Sequence, residues 1–329
     1  MHKRDGWYYI FAPAGGVATG WQTVLRSRSI TGPYEDRIVL QQGESEVNGP
    51  HQGAWVDTPG GEDWFIHFQS RGLYGRITHL QPMTWGEDGW PIIGQPVEGE
   101  TWGAPVDINE KPEGPVVSRQ SLQASDDFAG KLGLQWQFMG NWRKDFYTLM
   151  DGTLRLYAVS QPSGSGLLWH CPNVLTQKIS CPAFSAETAI DVAGLQVGEQ
   201  AGFGLVGGHY AYAALRRTVE GLSLVYVQSE GDDHHEKLLQ RIDVAREQIR
   251  FRMTLLPTGY DTAAMVLEYA DGNEYHWVGD PFSPARHTWV GARLALFAMP
   301  LDGAAHGGYA DFAPLKVTPE EGDEPQEEN

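Results

Sequence analysis

The sequence predicts an all-β protein in two regions, and three observations carry that prediction. Short runs of aromatic and β-branched residues recur along the chain, clusters rich in Gly and Pro separate them, and no segment shows the capped, 3.6-periodic pattern of a helix. The 40 Gly and 12 Trp suit many short strands joined by tight turns and suit sugar-binding surfaces equally. At 329 residues the chain is long enough for two domains with ordinary cores.

Taken in order, residues 7–11, 22–27, 37–41, 53–57, 64–69 and 75–80 read as strands. Ala14-Gly15-Gly16, Thr31-Gly32-Pro33, Gly43-Glu44-Ser45 and Thr58-Pro59-Gly60-Gly61 supply the turns between them. After 90–94 the periodicity fades, and residues 95–122, rich in Pro, Gly and charge, have the composition of a linker. From Ser125 a second region begins, with strand patterns at 154–159, 201–206, 222–228, 248–255, 264–269 and 290–298. Nearly continuous antiparallel strands over this length predict a two-sheet sandwich. The expected organisation is a first region of 1–118, a sandwich of 119–318 and an acidic tail of 319–329 that has nothing to bury and should be disordered.

Asp and Glu number 42 against 24 Lys and Arg, a formal charge of -18. That balance argues against nucleic acid and anionic membranes as partners and fits neutral ligands better. No apolar stretch approaches the length that spans a bilayer, and Met1 is followed by His2, Lys3, Arg4 and Asp5 rather than a signal core, so no compartment can be assigned. Cys171 and Cys181 form neither a disulfide framework nor a Cys-x-x-Cys pair and are expected to be buried free thiols.

Three stretches carry a family resemblance. Asp5-Gly6-Trp7-Tyr8-Tyr9-Ile10-Phe11 opens a strand, and Ser27-Arg28-Ser29-Ile30-Thr31-Gly32-Pro33-Tyr34-Glu35 turns between two. Gly49-Pro50-His51-Gln52-Gly53-Ala54-Trp55-Val56-Asp57 is followed by Trp64-Phe65-Ile66-His67-Phe68-Gln69 and by residues 74–83, then Trp85 and Gly89-Trp90-Pro91. This order resembles the propeller of glycoside hydrolase family 43, of the β-xylosidase/α-L-arabinofuranosidase kind. Ser125-Asp126-Asp127-Phe128, Leu134-Gln135-Trp136-Gln137, residues 152–156 and Gly308-Tyr309-Ala310-Asp311-Phe312 resemble the concanavalin-A-like C-terminal domain of many β-xylosidases of that family. The resemblance implies about two blades of a five-bladed β-propeller followed by a jelly-roll sandwich.

It also implies an inverting, exo-acting hydrolase of xylan or arabinoxylan fragments, worked by a base Asp, an acid Glu and a second Asp that tunes the acid. An inverting pair stands roughly 6.5–9.5 Å apart to admit a water. In the family the acid belongs to a Glu-Gly-Pro just ahead of the strand that residues 7–11 resemble, so all three carboxylates are expected upstream of Met1. The chain is then a front-truncated portion of the enzyme, inactive alone; the alternative is a non-catalytic carbohydrate-binding or scaffold fragment. Glu113-Gly114-Pro115 repeats the motif but lies in the linker and reads as a turn.

Two family positions carry over. His51 matches the axial histidine that contacts a central water or calcium ion, against the plainer reading of a structural histidine bonded to backbone. Arg76 matches the arginine that hydrogen-bonds the sugar, against a surface ion pair. Trp55, close after His51, is the tryptophan expected to reach the pocket, although aromatics at such positions more often fill space between blades. Asp126 and Asp311, near the two ends of the sandwich, are candidate oxygen ligands for a structural Ca²⁺, against the plainer reading of strand-end carboxylates. Two blades cannot close a propeller, so apolar faces carrying Trp55, Phe65 and Phe68 are expected to be open and to drive self-association.

Overall fold

The computed structural model describes residues 1–115, 124–287 and 289–320. Chain contacts divide the protein into two units, Met1–Arg71 with Arg76–Arg119, and Gly72–Gly75 with Gln120–Asn329. The expected boundary at 118/119 and the tail beyond Glu320 lie outside the described residues. No helix among the described residues is long and apolar enough to cross a membrane.

The first unit holds two blade-like sheets. Strands β1 (His2–Arg4), β2 (Trp7–Ala14), β3 (Trp21–Ser27) and β4 (Glu35–Leu40) run antiparallel, and β5 (His51–Asp57), β6 (Asp63–Ser70), β7 (Arg76–Trp85) and β8 (Pro91–Ile93) repeat the meander. The stretch expected to be plain linker contributes two short strands, β9 (Gln95–Pro96) and β10 (Gly103–Ala104). They return to the first sheet, where Gly103 pairs in parallel with Leu40 and accepts a 3.0 Å bond from the Gln41 N–H. Sequence periodicity misses such pieces because two residues carry no period.

An aromatic layer fills this unit. Tyr9, Val24, Val39, Phe65, Met83, Trp90 and Ile93 are buried, with Trp7, Phe11, Trp55 and Trp85 packed on them. Polar anchors fix the layer's edges. The Asp63 carboxylate accepts from the indole nitrogens of Trp55 and Trp85 at 2.6 and 2.9 Å. Arg26 stacks its guanidinium on Trp7 and Trp90, at 4.6 and 4.1 Å, while donating to Glu35 and to the Asp88 carbonyl. Planar cations packed this way cover ring faces and keep their hydrogen bonds.

The second unit is a two-sheet sandwich. Its strands are β11 (Trp136–Phe138), β12 (Tyr147–Met150), β13 (Thr153–Tyr157), β14 (Leu175–Lys178), β15 (Phe184–Asp191), β16 (Glu199–Val206), β17 (Tyr210–Thr218) and β18 (Gly221–Glu230). They continue as β19 (His235–Asp243), β20 (Gln248–Gly259), β21 (Thr262–Asp271), β22 (Glu274–Trp277), β23 (Arg293–Pro300), β24 (Tyr309–Phe312) and β25 (Lys316–Pro319). One sheet runs β11-β14-β23-β16-β17-β18-β19, the other β12-β13-β24-β15-β20-β21-β22, with β25 added to β15. Pro319 therefore belongs to the sandwich rather than to a tail, and the Glu320 N–H bonds to the Ala183 carbonyl at 3.1 Å.

The inner faces share one core, including Phe128, Leu154, Phe184, Phe203, Phe251, Leu294 and Phe312. The outer face of the seven-stranded sheet is covered as well. Tyr210, Tyr212, Val225, Ala295, Phe297 and Met299 pack there against Leu168, Cys171 and Val174 from the loop between β13 and β14. Cys171 is buried as expected, and burial pushes its thiol up to about 12, while Cys181 is only half-buried. Glu199, fully buried in β16, accepts backbone N–H bonds from Gln196, His306 and Gly308 and so pins two loops. A Cβ at Gly308 would lie 1.7 Å from the Glu199 carboxylate, so only glycine fits that approach.

Candidate functional site

Three neighbouring strands place the predicted residues of the first unit. His51 opens β5 opposite Phe68 of β6, and Arg76 opens β7 opposite Ser70. His51 is buried; its Nδ1 lies 2.7 Å from the Gly49 carbonyl, so Nδ1 carries the proton and Nε2 keeps its lone pair. The imidazole packs on Phe68 at 5.6 Å, and the Arg76 guanidinium lies over the same Phe68 ring at 4.4 Å. His51, Phe68 and Arg76 thus form one cluster, held by register, with Arg76 exposed at its outer side.

Local geometry explains why the chain takes this path. Residues 52 and 53 form a bulge against β6, and Gln52 adopts a φ of 55°. A Cβ at Gly20 would fall 2.6 Å from His51 Nε2, so a residue without a side chain is required where the loop after β2 approaches the imidazole. Asn48 closes the same end, donating to the Ser70 carbonyl at 3.0 Å and accepting from the Ser70 N–H at 3.3 Å.

A second polar set lies on the other face of β6 and β7. His67 and His79 are register partners whose rings stack at 5.4 Å. His79 Nε2 reaches Gln69 Oε1 at 3.1 Å, and Gln69 donates to the Glu46 carbonyl at 2.9 Å. His67 Nδ1 meets the Phe68 carbonyl at 3.2 Å, while its Nε2 is buried with no partner. Burial, reinforced by repulsion from His79 and His51, pulls the His67 imidazole down to about 4. The pattern of strand residues gave no sign of this histidine as anything but core.

Trp55 lies elsewhere than expected. Its indole N–H is taken by Asp63, and its ring meets Trp85 at 5.1 Å, His2 at 4.7 Å and Phe11 at 6.2 Å. It fills the aromatic layer rather than presenting an open stacking face. Glu113 is exposed, and its backbone N–H is capped by Glu62 at 2.8 Å, as a turn residue would be.

The candidate calcium ligands do not converge. Asp311 forms a two-point ion pair with Arg155, both distances 2.8 Å. Asp126 accepts from the Phe128 and Gly133 N–H groups and from the Trp136 indole, at 2.8, 3.1 and 2.8 Å. Both carboxylates are therefore occupied by the protein's own donors. Among the described residues no group of three or more His, Cys, Asp or Glu is placed to hold a metal ion. His51 offers a single imidazole lone pair, enough to orient a water but not the six or more oxygens a calcium ion takes. The described residues do not fit a calcium cage, at the blades or in the sandwich.

Comparison with known proteins agrees with this architecture. Residues 125–318 match the family of the beta xylosidase C-terminal concanavalin A-like domain, and residues 1–91 match glycosyl hydrolases family 43. The chain belongs to glycoside hydrolase family 43 and carries its concanavalin-like C-terminal domain after part of the propeller. A beta-xylosidase-like protein of Xylanibacter ruminicola is 45% identical over 192 residues, covering 58% of this chain and 36% of that protein. A beta-xylosidase of Formosa agariphila is 30% identical over 345 residues, covering 91% of this chain and 55% of the relative. The solved structure of a bifunctional GH43-CE protein of Bacteroides eggerthii superposes with a TM-score of 0.79 at 27% identity, over 98% of this chain and 40% of that one. The chain thus spans 36% and 55% of the lengths of these two relatives.

The buried neutral His67 makes the first unit acid-sensitive. Its folded value lies below the ordinary 6.5, so its contribution is fully present above pH 6.5 and is lost as pH falls towards 4. The expected loss approaches about 3 kcal/mol between pH 7 and pH 4. Urea titrations followed by tryptophan fluorescence should show a flatter pH dependence for His67→Phe than for the parent; an identical slope in both would contradict the assignment.

Proposed function

We propose that this chain furnishes the sugar-binding arginine and the C-terminal sandwich of an inverting, exo-acting glycosidase that releases xylose or arabinose from xylan or arabinoxylan fragments. The observation that carries the reading is the His51–Phe68–Arg76 cluster, which sets two family positions side by side at one end of the second blade. Phe68 supports the guanidinium from below, and a permanently charged planar donor so fixed suits hydrogen bonding to sugar hydroxyls and to a catalytic acid. His51, its Nδ1 held by the Gly49 carbonyl, turns Nε2 to a water beneath the sugar. The acid, base and tuning carboxylates come from other blades of the propeller.

The test is kinetic. The chain alone should not turn over aryl β-xyloside or aryl α-L-arabinofuranoside; turnover abolished by Glu113→Gln would instead make the linker motif catalytic. In a polypeptide that joins this chain to the preceding blades, Arg76→Ala should lower kcat/KM at least tenfold, about 1.4 kcal/mol of transition-state stabilisation, with an unchanged melting temperature. An unchanged kcat/KM would return Arg76 to the surface.

The open apolar face of the second blade supports a proposal about assembly. Of the residues expected to lie open, Phe65 and Phe68 are buried, at 0% and 8% exposure, and Trp55 is half-buried in the aromatic layer. Val56 of β5, Ile66 of β6 and Ile92 of β8 share one face and are exposed there, at 36%, 41% and 36%. Further blades would cover them, and a second copy of the chain does so in their place. Light scattering should find the chain self-associated and Ile66→Lys monomeric; a monomeric parent would sink the proposal.

A further inference from the structure

The outer face of the seven-stranded sheet carries a cationic patch that nothing in the hydrolase reading uses. Leu294 and Leu296 of β23 point into the core shared by the two sheets, so Arg293 and Ala295 lie on the opposite face. Register places Lys178 of β14 beside Arg293, and Thr176 beside Ala295, on that same face. Gln137 of β11, opposite Thr176, and Val206 of β16, opposite Arg293, extend the patch to either side. These positions share one side of the sheet.

Two of them set like charges directly opposite one another, which destabilises a sheet unless something offsets it. No carboxylate does so. Neither Lys178 nor Arg293 forms an ion pair with a carboxylate among the described residues, in a chain where acids outnumber bases 42 to 24. Arg293 is half-buried, and its guanidinium donates to Gln137 Oε1 and to the Thr176 hydroxyl, at 3.5 and 3.4 Å. Both bonds are long and neutral. Burial alone pulls the Arg293 pKa down, with no acidic neighbour to hold it up. A half-buried guanidinium so placed lacks the charged partner that such a group ordinarily finds.

A recess of about 140 Å³ opens beside the guanidinium, lined among others by Gln137, Met139, Thr176, Val206, His287 and Arg293. That is the space of roughly five water molecules, enough for one small tetrahedral oxyanion. Met139 and Val206 belong to the apolar cluster on this face and lower the local dielectric, which strengthens attraction between an anion and the cations beside it. The Gln137 amide turns its oxygen to Arg293 and keeps its N–H groups for a ligand. His287 stacks on Trp169 at 5.0 Å with the ring planes 15° apart, which fixes the imidazole. Burial, and after it the charge of Arg293, lowers the His287 pKa, so the ring stands within electrostatic reach of the guanidinium.

We propose that this recess is a phosphate site, in which Arg293 and Lys178 share one phosphate group, free or as a monoester, with the Gln137 amide and His287 closing around it. Two full positive charges match a dianion, and donors arriving from β11, β14, β23 and the segment ahead of β23 suit a tetrahedral group better than a planar carboxylate. The formal charge of -18 opposes polyanions spread over the surface. Distant charges are screened over about 8 Å at physiological ionic strength, whereas the adjacent cations are not. The inference rests on the sandwich alone and is independent of the hydrolase reading.

Calorimetric titration of the whole chain with sodium phosphate, glycerol 1-phosphate and sodium acetate tests it. Saturable one-site binding of a phosphate is expected, with acetate weaker by about tenfold or more. A tighter monoester would mark the ligand as a phosphorylated metabolite, and tighter inorganic phosphate as the free ion. Arg293→Gln should weaken the phosphate by about tenfold or more, and Lys178→Gln by several-fold. Lys178 is exposed, so the second variant keeps its fold and carries the test if the first disturbs the sheet. No saturable binding of either phosphate, acetate bound as tightly as phosphate, or binding indifferent to both substitutions would overturn the proposal and leave the hydrolase reading untouched.

Discussion

The seven-stranded sheet of the sandwich must hide both of its faces, and the rest of that unit is arranged to satisfy this. β16 is buried at every position, and β17 and β23 nearly so. One face meets the eight-stranded sheet; the other is roofed by the loop carrying Leu168, Cys171 and Val174. Glu236 ties roof to sheet, accepting from the Leu168 N–H and from the hydroxyls of Tyr210 and Tyr212 at 2.8, 2.9 and 2.8 Å. The sheet's central strands are buried on both faces, although the edge strand β19 is largely exposed, and in them small residues such as Ala213 and Gly204 alternate with large ones to let the layers close.

The blades meet the same constraint differently. Their aromatic layer, tied by Asp63 and Arg26, hides the faces turned towards each other, while the Val56, Ile66 and Ile92 side chains remain open. The His51–Phe68–Arg76 cluster sits at the end of this less completely buried sheet. Functional groups are often found on such elements, because a site must stay accessible while its scaffold holds it.

Much of this was legible in the sequence. The aromatic and β-branched runs located β2, β6, β18 and β20, and the family motifs located His51 and Arg76. Other elements left no readable signal. β17 begins Tyr-Ala-Tyr-Ala-Ala-Leu, and with both faces buried it shows no alternation of apolar and polar residues. The strands Gln95–Pro96 and Gly103–Ala104 are too short to have a period. Trp55 read as a pocket residue because its partner, the Asp63 carboxylate, is identified only by a hydrogen bond in the fold. Asp126 and Asp311 read as free carboxylates because their partners, Trp136 and Arg155, are identified only by hydrogen bonds in the fold.

The central claim, that each sheet's stability follows the number of faces it buries, is tested most directly by native-state hydrogen exchange on the full chain in increasing denaturant. Amides of β16, β17 and β23 should exchange only through global unfolding of the sandwich, while those of β5 to β8 should exchange through an opening of distinctly lower free energy. A single exchange free energy shared by the blade strands and the doubly buried strands would contradict the account.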